Sequence, residues 1–223
     1  MLLKKGAIKS MKTIKPHVKD VIFFEPDNGD SPEELIERIG RTCYQSEDRI
    51  SQGTANTFVK MLMNRGHYAM LEFGYAVVVI VADRGFTHEL VRHRIASFAQ
   101  ESTRWCNYTK GKFGEEITVI EQPGMFPFTT RTGMEIVDTW TEAMDFAEHS
   151  YFRLIKLGVP SQVARSVLPI GLKAEIVIGT NLREWKYILK LRSGKDVHPI
   201  MRWIMVELSD YFKRFCPVMF GDI

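Results

Sequence analysis

Val77 to Val81 is an unbroken run of β-branched residues, Val-Val-Val-Ile-Val, set between Gly74 and Gly85. Side chains branched at Cβ lose rotamer freedom in a helix and pack well on a pleated surface. A run with no polar alternation suits a strand covered on both faces. This commits the chain to a buried sheet, and the rest of the sequence has to supply what covers it.

Most of that cover is helical. "DSPEELIERIGRTCY" opens with Asp30 or Ser31 as N-cap, Pro32 in the first turn and acids behind it, a strong helix start. "TANTFVKMLMNRG" puts Phe58, Met61 and Leu62 on one face and stops at Gly66. "GFTHELVRHR" reads as helical, with Phe86 and Leu90 one turn apart and Arg94 on the same side, before an irregular loop. In 133–158, Ile136, Val137, Trp140, Met144, Ala147, Tyr151 and Leu154 recur at near-helical spacing. "PSQVARSVLP" is a short helix between prolines, "LREWKYILKLR" is another, and a last helix over about 199–215 carries Trp203, Ile204, Val206, Leu208 and Phe212. Further strands are expected in "VIFFEP" (21–26), "ITVIEQP" and "AEIVIGTN". Without a regular βαβ alternation, the fold class is α+β, with a mixed or antiparallel sheet and flanking helices. Residues 18–223 are read as one domain, and the basic stretch 1–17 as a loose end or an early strand.

With 45% hydrophobic and 26% charged residues among 223, the chain can bury a sizeable core. The net charge of +3 comes from 30 cations against 27 anions, which permits an anionic ligand without demanding nucleic acid. Cys43, Cys106 and Cys216 are odd in number and widely spaced, so neither a disulfide framework nor a zinc ribbon is suggested. The N-terminus lacks the apolar stretch of a signal peptide, and nothing approaches the roughly 20 apolar residues of a membrane span. A soluble cytoplasmic protein is the expectation, with neither membrane nor nucleic acid as partner.

The chemistry concentrates in "RHRIASFAQESTRW" (92–105), where Arg92, His93, Arg94, Ser102 and Arg104 stand close together without a lysine. Guanidinium offers a planar fork of donors that suits phosphate or a pair of carbonyls. Arg165, Arg183 and Arg192 are further candidates, although for any single one of these arginines a solvated surface residue is the commoner case. No GxSxG elbow supports a serine nucleophile, no HExxH a metal, and no GxGxxG or Walker loop a dinucleotide. Cys106 is open to two readings, an activated thiolate or a small buried hydrophobe. His67 is equally open, as a turn histidine or a site residue beside Glu72.

The stretch resembles the signature of flavin-dependent thymidylate synthases: an RHR triplet, seven residues, then serine, here Arg92, His93, Arg94 and Ser102. "RTCYQS", "RGHYAMLEF", "GVPSQVARSVLP", "TNLREWKYILKLR" and "CPVMF" resemble other segments of that family, in order, over roughly residues 33–218. Phe73 stands where the second of these segments usually ends in histidine.

The resemblance implies an α+β subunit in a homotetramer with active sites at subunit junctions. It implies reductive methylation of dUMP to dTMP, with methylenetetrahydrofolate as carbon donor, NADPH as reductant through FAD, and no cysteine nucleophile. By position it gives FAD contacts to Cys43, His67, Glu72, Arg92, His93, Arg94, Gln100, Asn181 and Arg183, with His67 where flavin and folate meet. It gives dUMP contacts to Glu89, Arg92, Gln100, Glu101, Ser102, Arg104, Arg165 and Arg192, of which Arg192 is catalytic, favouring the ionised uracil ring. Glu89 replaces a frequent glutamine, and an anion there is repulsive to a nucleotide phosphate unless an arginine pairs with it. Two other readings use the same residues. One is a related flavin enzyme acting on another pyrimidine nucleotide. The other is a non-catalytic basic nucleotide- or RNA-binding protein, which leaves His67, Asn181 and Arg192 unexplained.

Overall fold

In chain order the elements are β1 (Lys12–Ile14), β2 (His17–Phe23), α1 (Pro32–Thr42), α2 (Thr54–Asn64), β3 (Tyr75–Asp83), α3 (Arg84–Leu90), β4 (Ser97–Gln100), β5 (Thr118–Ile120), α4 (Arg131–Lys156), α5 (Ser161–Ala164), β6 (Lys173–Asn181), α6 (Leu182–Arg192), α7 (Pro199–Phe215) and α8 (Pro217–Phe220). They come from a computed structural model that describes residues 11–109, 114, 116–124 and 131–223. The α+β expectation holds: helices flank a four-stranded sheet of order β2-β3-β6-β4, in which β2 and β3 are antiparallel, and β1 pairs in parallel with β5. The chain divides into two compact units. One comprises Met1–Pro16, Ala82–His88 and Gln100–Glu175; the other comprises His17–Val81, Glu89–Ala99 and Ile176–Ile223.

The second unit contains nearly all of the four-stranded sheet and the helices α1, α2, α6, α7 and α8. In β3, Ala76, Val78 and Ile80 are fully buried while Val77 and Val79 are half-buried. The β-branched run therefore has one sealed face and one partly covered face, rather than two sealed ones. Trp185 is fully buried and donates its indole N–H to the Ala76 carbonyl at 3.1 Å, tying α6 to the strand. Helix α1 begins in a capping box: Ser31 Oγ accepts from the Glu34 N–H, and the Glu34 carboxylate accepts from the Ser31 N–H. Helix α2 packs close on α1, because a Cβ at Gly40 would lie 2.7 Å from the Phe58 ring. In α7, Ile204, Leu208 and Phe212 are buried, whereas Trp203 and Val206 are exposed.

The first unit is built around Met11, Tyr108, Ile117, Val119, Tyr151, Ala164 and Leu172, with Trp140, Met144 and Phe152 of α4 packed against them. Helix α4 matches the expected long helix, but Ile136 near its start is exposed. The described part of the segment expected to be loose, 11–17, carries β1 and the first residue of β2; residues 1–10 lie outside the described residues.

Two expectations for the central stretch are corrected. Helix α3 stops at Leu90, because the N–H groups of Arg92 and His93 turn back to the carbonyls of Glu89 and Leu90 three residues behind. Arg94 therefore does not share its face. The stretch beyond is not wholly irregular, since Ser97–Gln100 form β4, and the Thr180 hydroxyl donates to the Ile95 carbonyl just before it.

Candidate active site

In the second unit, α6 supplies most of the site. Asn181 is its N-cap, accepting from the Glu184 N–H at 2.9 Å. Burial of Leu182, Trp185, Ile188 and Leu189 fixes one side of the helix and leaves Arg183 and Tyr187 exposed. Arg192 ends the helix, where a cation is favoured by the exposed carbonyls. Its Nε–H donates to Nε2 of His93 at 3.2 Å, and Nη1 donates to the Glu89 carboxylate at 3.3 Å. Glu89 thus has the arginine partner that its charge requires. On the other side of the imidazole, Nδ1 of His93 lies 3.5 Å from the Glu184 carboxylate.

His93 is buried, and burial, reinforced by the Arg192 charge, holds its pKa below the ordinary range. The ring is therefore neutral near pH 7, as an acceptor for the Arg192 N–H must be. Burial also raises the Glu184 carboxyl, with Arg183 opposing.

A cavity of about 440 Å³ is lined by Glu72, Ile95, Asn181, Arg183, Glu184 and Tyr187. A smaller one of about 240 Å³ is lined by Tyr68, Leu71, Arg183, Lys186, Tyr187 and Lys190. Arg183 pairs with Glu72 at 2.5 Å, both side chains about half exposed, so the pair contributes little stability. Arg92 and Arg94 are exposed, and among the described residues neither makes an ion pair. His67 is exposed, with Nδ1 3.2 Å from the Tyr44 hydroxyl, and Cys43 is exposed at the end of α1.

In the first unit, a cleft of about 570 Å³ is lined by Arg84, Thr103, Arg165 and Ser166 among others. Arg165 is exposed rather than core-facing, and its Nη1 donates to the hydroxyl of buried Thr103 at 3.1 Å. Ser102 and Arg104 flank Thr103 in a tight turn, where the Ser102 carbonyl accepts from the N–H groups of Trp105 and Cys106. The Arg104 guanidinium lies 5.3 Å from the Trp105 ring centre. Gln100 donates its amide to Thr87 at 2.9 Å. The Glu101 carboxylate is taken up by Lys173 at 2.6 Å and the Glu175 N–H at 3.2 Å, which anchors the loop to β6.

Arg84 and Thr103 line the cleft of the first unit, and Glu184 and Tyr187 the cavity of the second, without having been singled out from sequence. Only Glu184 left a usable signal there, an acid three residues after the capping Asn181. Among the described residues, no group of three or more His, Cys, Asp and Glu side chains could hold a metal, and no helix is long and apolar enough to cross a membrane.

The fold is that of an α+β protein, with Arg165 lining the cleft of the first unit and Arg183, Asn181 and Tyr187 the larger cavity of the second. The family described as thymidylate synthase complementing protein matches residues 27–218, and the chain belongs to that family. Among its relatives, the flavin-dependent thymidylate synthase of Corynebacterium efficiens is 30% identical over 208 residues, covering 85% of this chain and 79% of the relative. The protein of the same name from Geobacter sulfurreducens is 28% identical over 200 residues, covering 86% and 82%. That from Pyrococcus furiosus is 26% identical over 205 residues, covering 82% and 81%. The resemblance read from the RHR stretch is borne out by the family match and these names.

Proposed function

We propose that the chain is a flavin-dependent thymidylate synthase, converting dUMP to dTMP with methylenetetrahydrofolate as carbon donor and NADPH as reductant. The observation that carries this reading is the fixed Arg192 guanidinium. Nε and Nη1 are committed to His93 and Glu89, and among the described residues Nη2 has no partner, so it is left for a ligand. A guanidinium held in this way can stabilise negative charge on a uracil ring as its C5 becomes nucleophilic. Glu89 accepts from Arg192 and so keeps its own charge from acting alone on the nucleotide.

The residues present fit FAD. Asn181 and Tyr187 offer an amide and an aromatic face at the 440 Å³ cavity, and Arg183 and Lys190 offer positive charge at the adjoining one. Arg92, His93, Arg94, Asn181 and Arg183 would hold it, with Cys43, His67, Glu72 and Gln100 contributing. When bound, FAD supplies the two-electron reduction that turns the transferred methylene into a methyl group. The dUMP phosphate is assigned to Arg165, Ser102 and Arg104, with Arg92, Gln100 and Glu101 at the nucleotide. No protein cysteine serves as nucleophile in this reading. Cys216 is buried, with its thiol pushed up by burial and by Glu33, the opposite of an activated thiolate. Residues 18–223 act as one functional domain, in a cytoplasmic homotetramer with folate as the other substrate.

The test is direct. The purified protein is expected to carry or take up FAD, turn yellow, and couple NADPH oxidation to dTMP formation from dUMP and methylenetetrahydrofolate. Protein that cannot be reconstituted with FAD overturns the reading. Turnover of dCMP in preference to dUMP would move the assignment to another pyrimidine nucleotide.

A further inference from the structure

Four side chains form a line in the second unit: Glu184, His93, Arg192 and Glu89. The Nε–H of Arg192 can only donate, so Nε2 of His93 must present a lone pair. In a neutral imidazole the proton then sits on Nδ1, and the acceptor facing Nδ1 among the described residues is the Glu184 carboxylate at 3.5 Å. Glu184 is itself held by its place in the first turn of α6, where its backbone N–H is capped by Asn181. Nothing in the reading of the dUMP and FAD contacts gives Glu184 a task.

We propose that Glu184 is a positioning residue of this active site: it fixes the proton of His93 on Nδ1, leaving Nε2 as the acceptor that aims Arg192. The proposal rests on the assignment of Arg192 to the pyrimidine ring. Its physical basis is that a guanidinium held on two of its nitrogens has little freedom to swing. If the histidine proton moves to Nε2, donor faces donor and the Arg192 contact is lost. Glu89 alone would then hold the arginine at one nitrogen, in a side chain with many rotamers. Glu184 acts through His93 and need not touch the nucleotide.

The experiment uses the full-length protein labelled with ¹⁵N-histidine, with the His93 signals assigned by comparison with His93→Gln. In the parent protein the nitrogen shifts are expected to report the Nδ1–H tautomer. Glu184→Ala is expected to lose that preference and to lower kcat by about 10-fold or more, in the range that side chains orienting a functional group usually carry. FAD affinity and the KM for dUMP should change much less than kcat. Glu184→Gln, whose amide oxygen can still accept from Nδ1–H, should restore the tautomer and most of the rate. Should Glu184→Ala fail to fold, Glu184→Leu, similar in size and lacking an acceptor, gives the same readout. An unchanged His93 tautomer in the variant without an acceptor overturns the proposal. So does a changed tautomer with an unchanged kcat, provided Arg192→Ala is inactive. If Arg192→Ala instead keeps the parent kcat, it is the assignment of Arg192 that fails, and the tautomer measurement still decides what Glu184 does to His93.

Discussion

His93 shows what burial does to a residue that a sequence presents as one cation among three. It faces Glu184, Tyr187 and Arg192, all from α6, and reaches Glu89 of α3 through Arg192. Burial first, and Arg192 second, depress its pKa from 6.5. A histidine with a depressed folded-state pKa binds fewer protons folded than unfolded as the pH falls below about 6.5. Its contribution to stability is therefore fully present above that value and is lost as the pH drops through the folded pKa. Chemical denaturation between pH 7.5 and 5.0 is expected to show stability falling on the acid side, with a shallower fall in His93→Gln. Equal slopes in the two proteins would mean that His93 is not the group responsible. Arg92 and Arg94 differ from it by staying exposed, so one motif places two cations at the surface and a neutral imidazole inside.

At the scale of the element, α1 and α6 are each started by an N-cap that local sequence specifies. Ser31 completes a capping box with Glu34, and Asn181 caps α6 through the Glu184 N–H. Ser31→Ala is expected to cost about 1 kcal/mol, lowering the midpoint of thermal unfolding by about 2–4 °C for a chain of this size. Ser31→Asp, which can still accept, should cost little; a scan in which both variants melt alike would show that the cap is not what matters. Such elements were legible because their signals lie within a few residues of one another. The end of α3 was not, because "ELVRHR" carries no glycine or proline to stop a helix. The stop shows only in the folded chain, where the N–H groups of Arg92 and His93 turn back to Glu89 and Leu90, and the Ile95 carbonyl farther on is taken by Thr180, in a strand far along the chain. β4 was missed for a similar reason, since in "SFAQ" only a partner strand can reveal that a short polar stretch is extended.

For the molecule as a whole, the first unit leaves Trp105, Phe146, Leu157 and Ile170 each more than 65% exposed, a load of large apolar side chains that association would cover. The homotetramer that the resemblance implies would cover them, and light scattering coupled to size exclusion should then give the mass of four chains; a monomer at micromolar concentration would contradict it. The residues assigned to the site fall into two sets. Glu89, the RHR triplet and the α6 residues lie in one unit, while Ser102, Arg104 and Arg165 lie in the other. The sequence by itself determined the α+β class, most helices and strands, and the ordered motifs of the family, because periodicity, capping and motif spacing are local properties of the chain. Only the tertiary structure decided that Glu89 neutralises against Arg192, that Glu184 faces His93, and that Arg165 leans on Thr103 in a cleft shared with Arg84. Those pairings join side chains from distant stretches, and no local pattern of residues encodes a contact that exists only once packing has brought its partners within hydrogen-bonding distance.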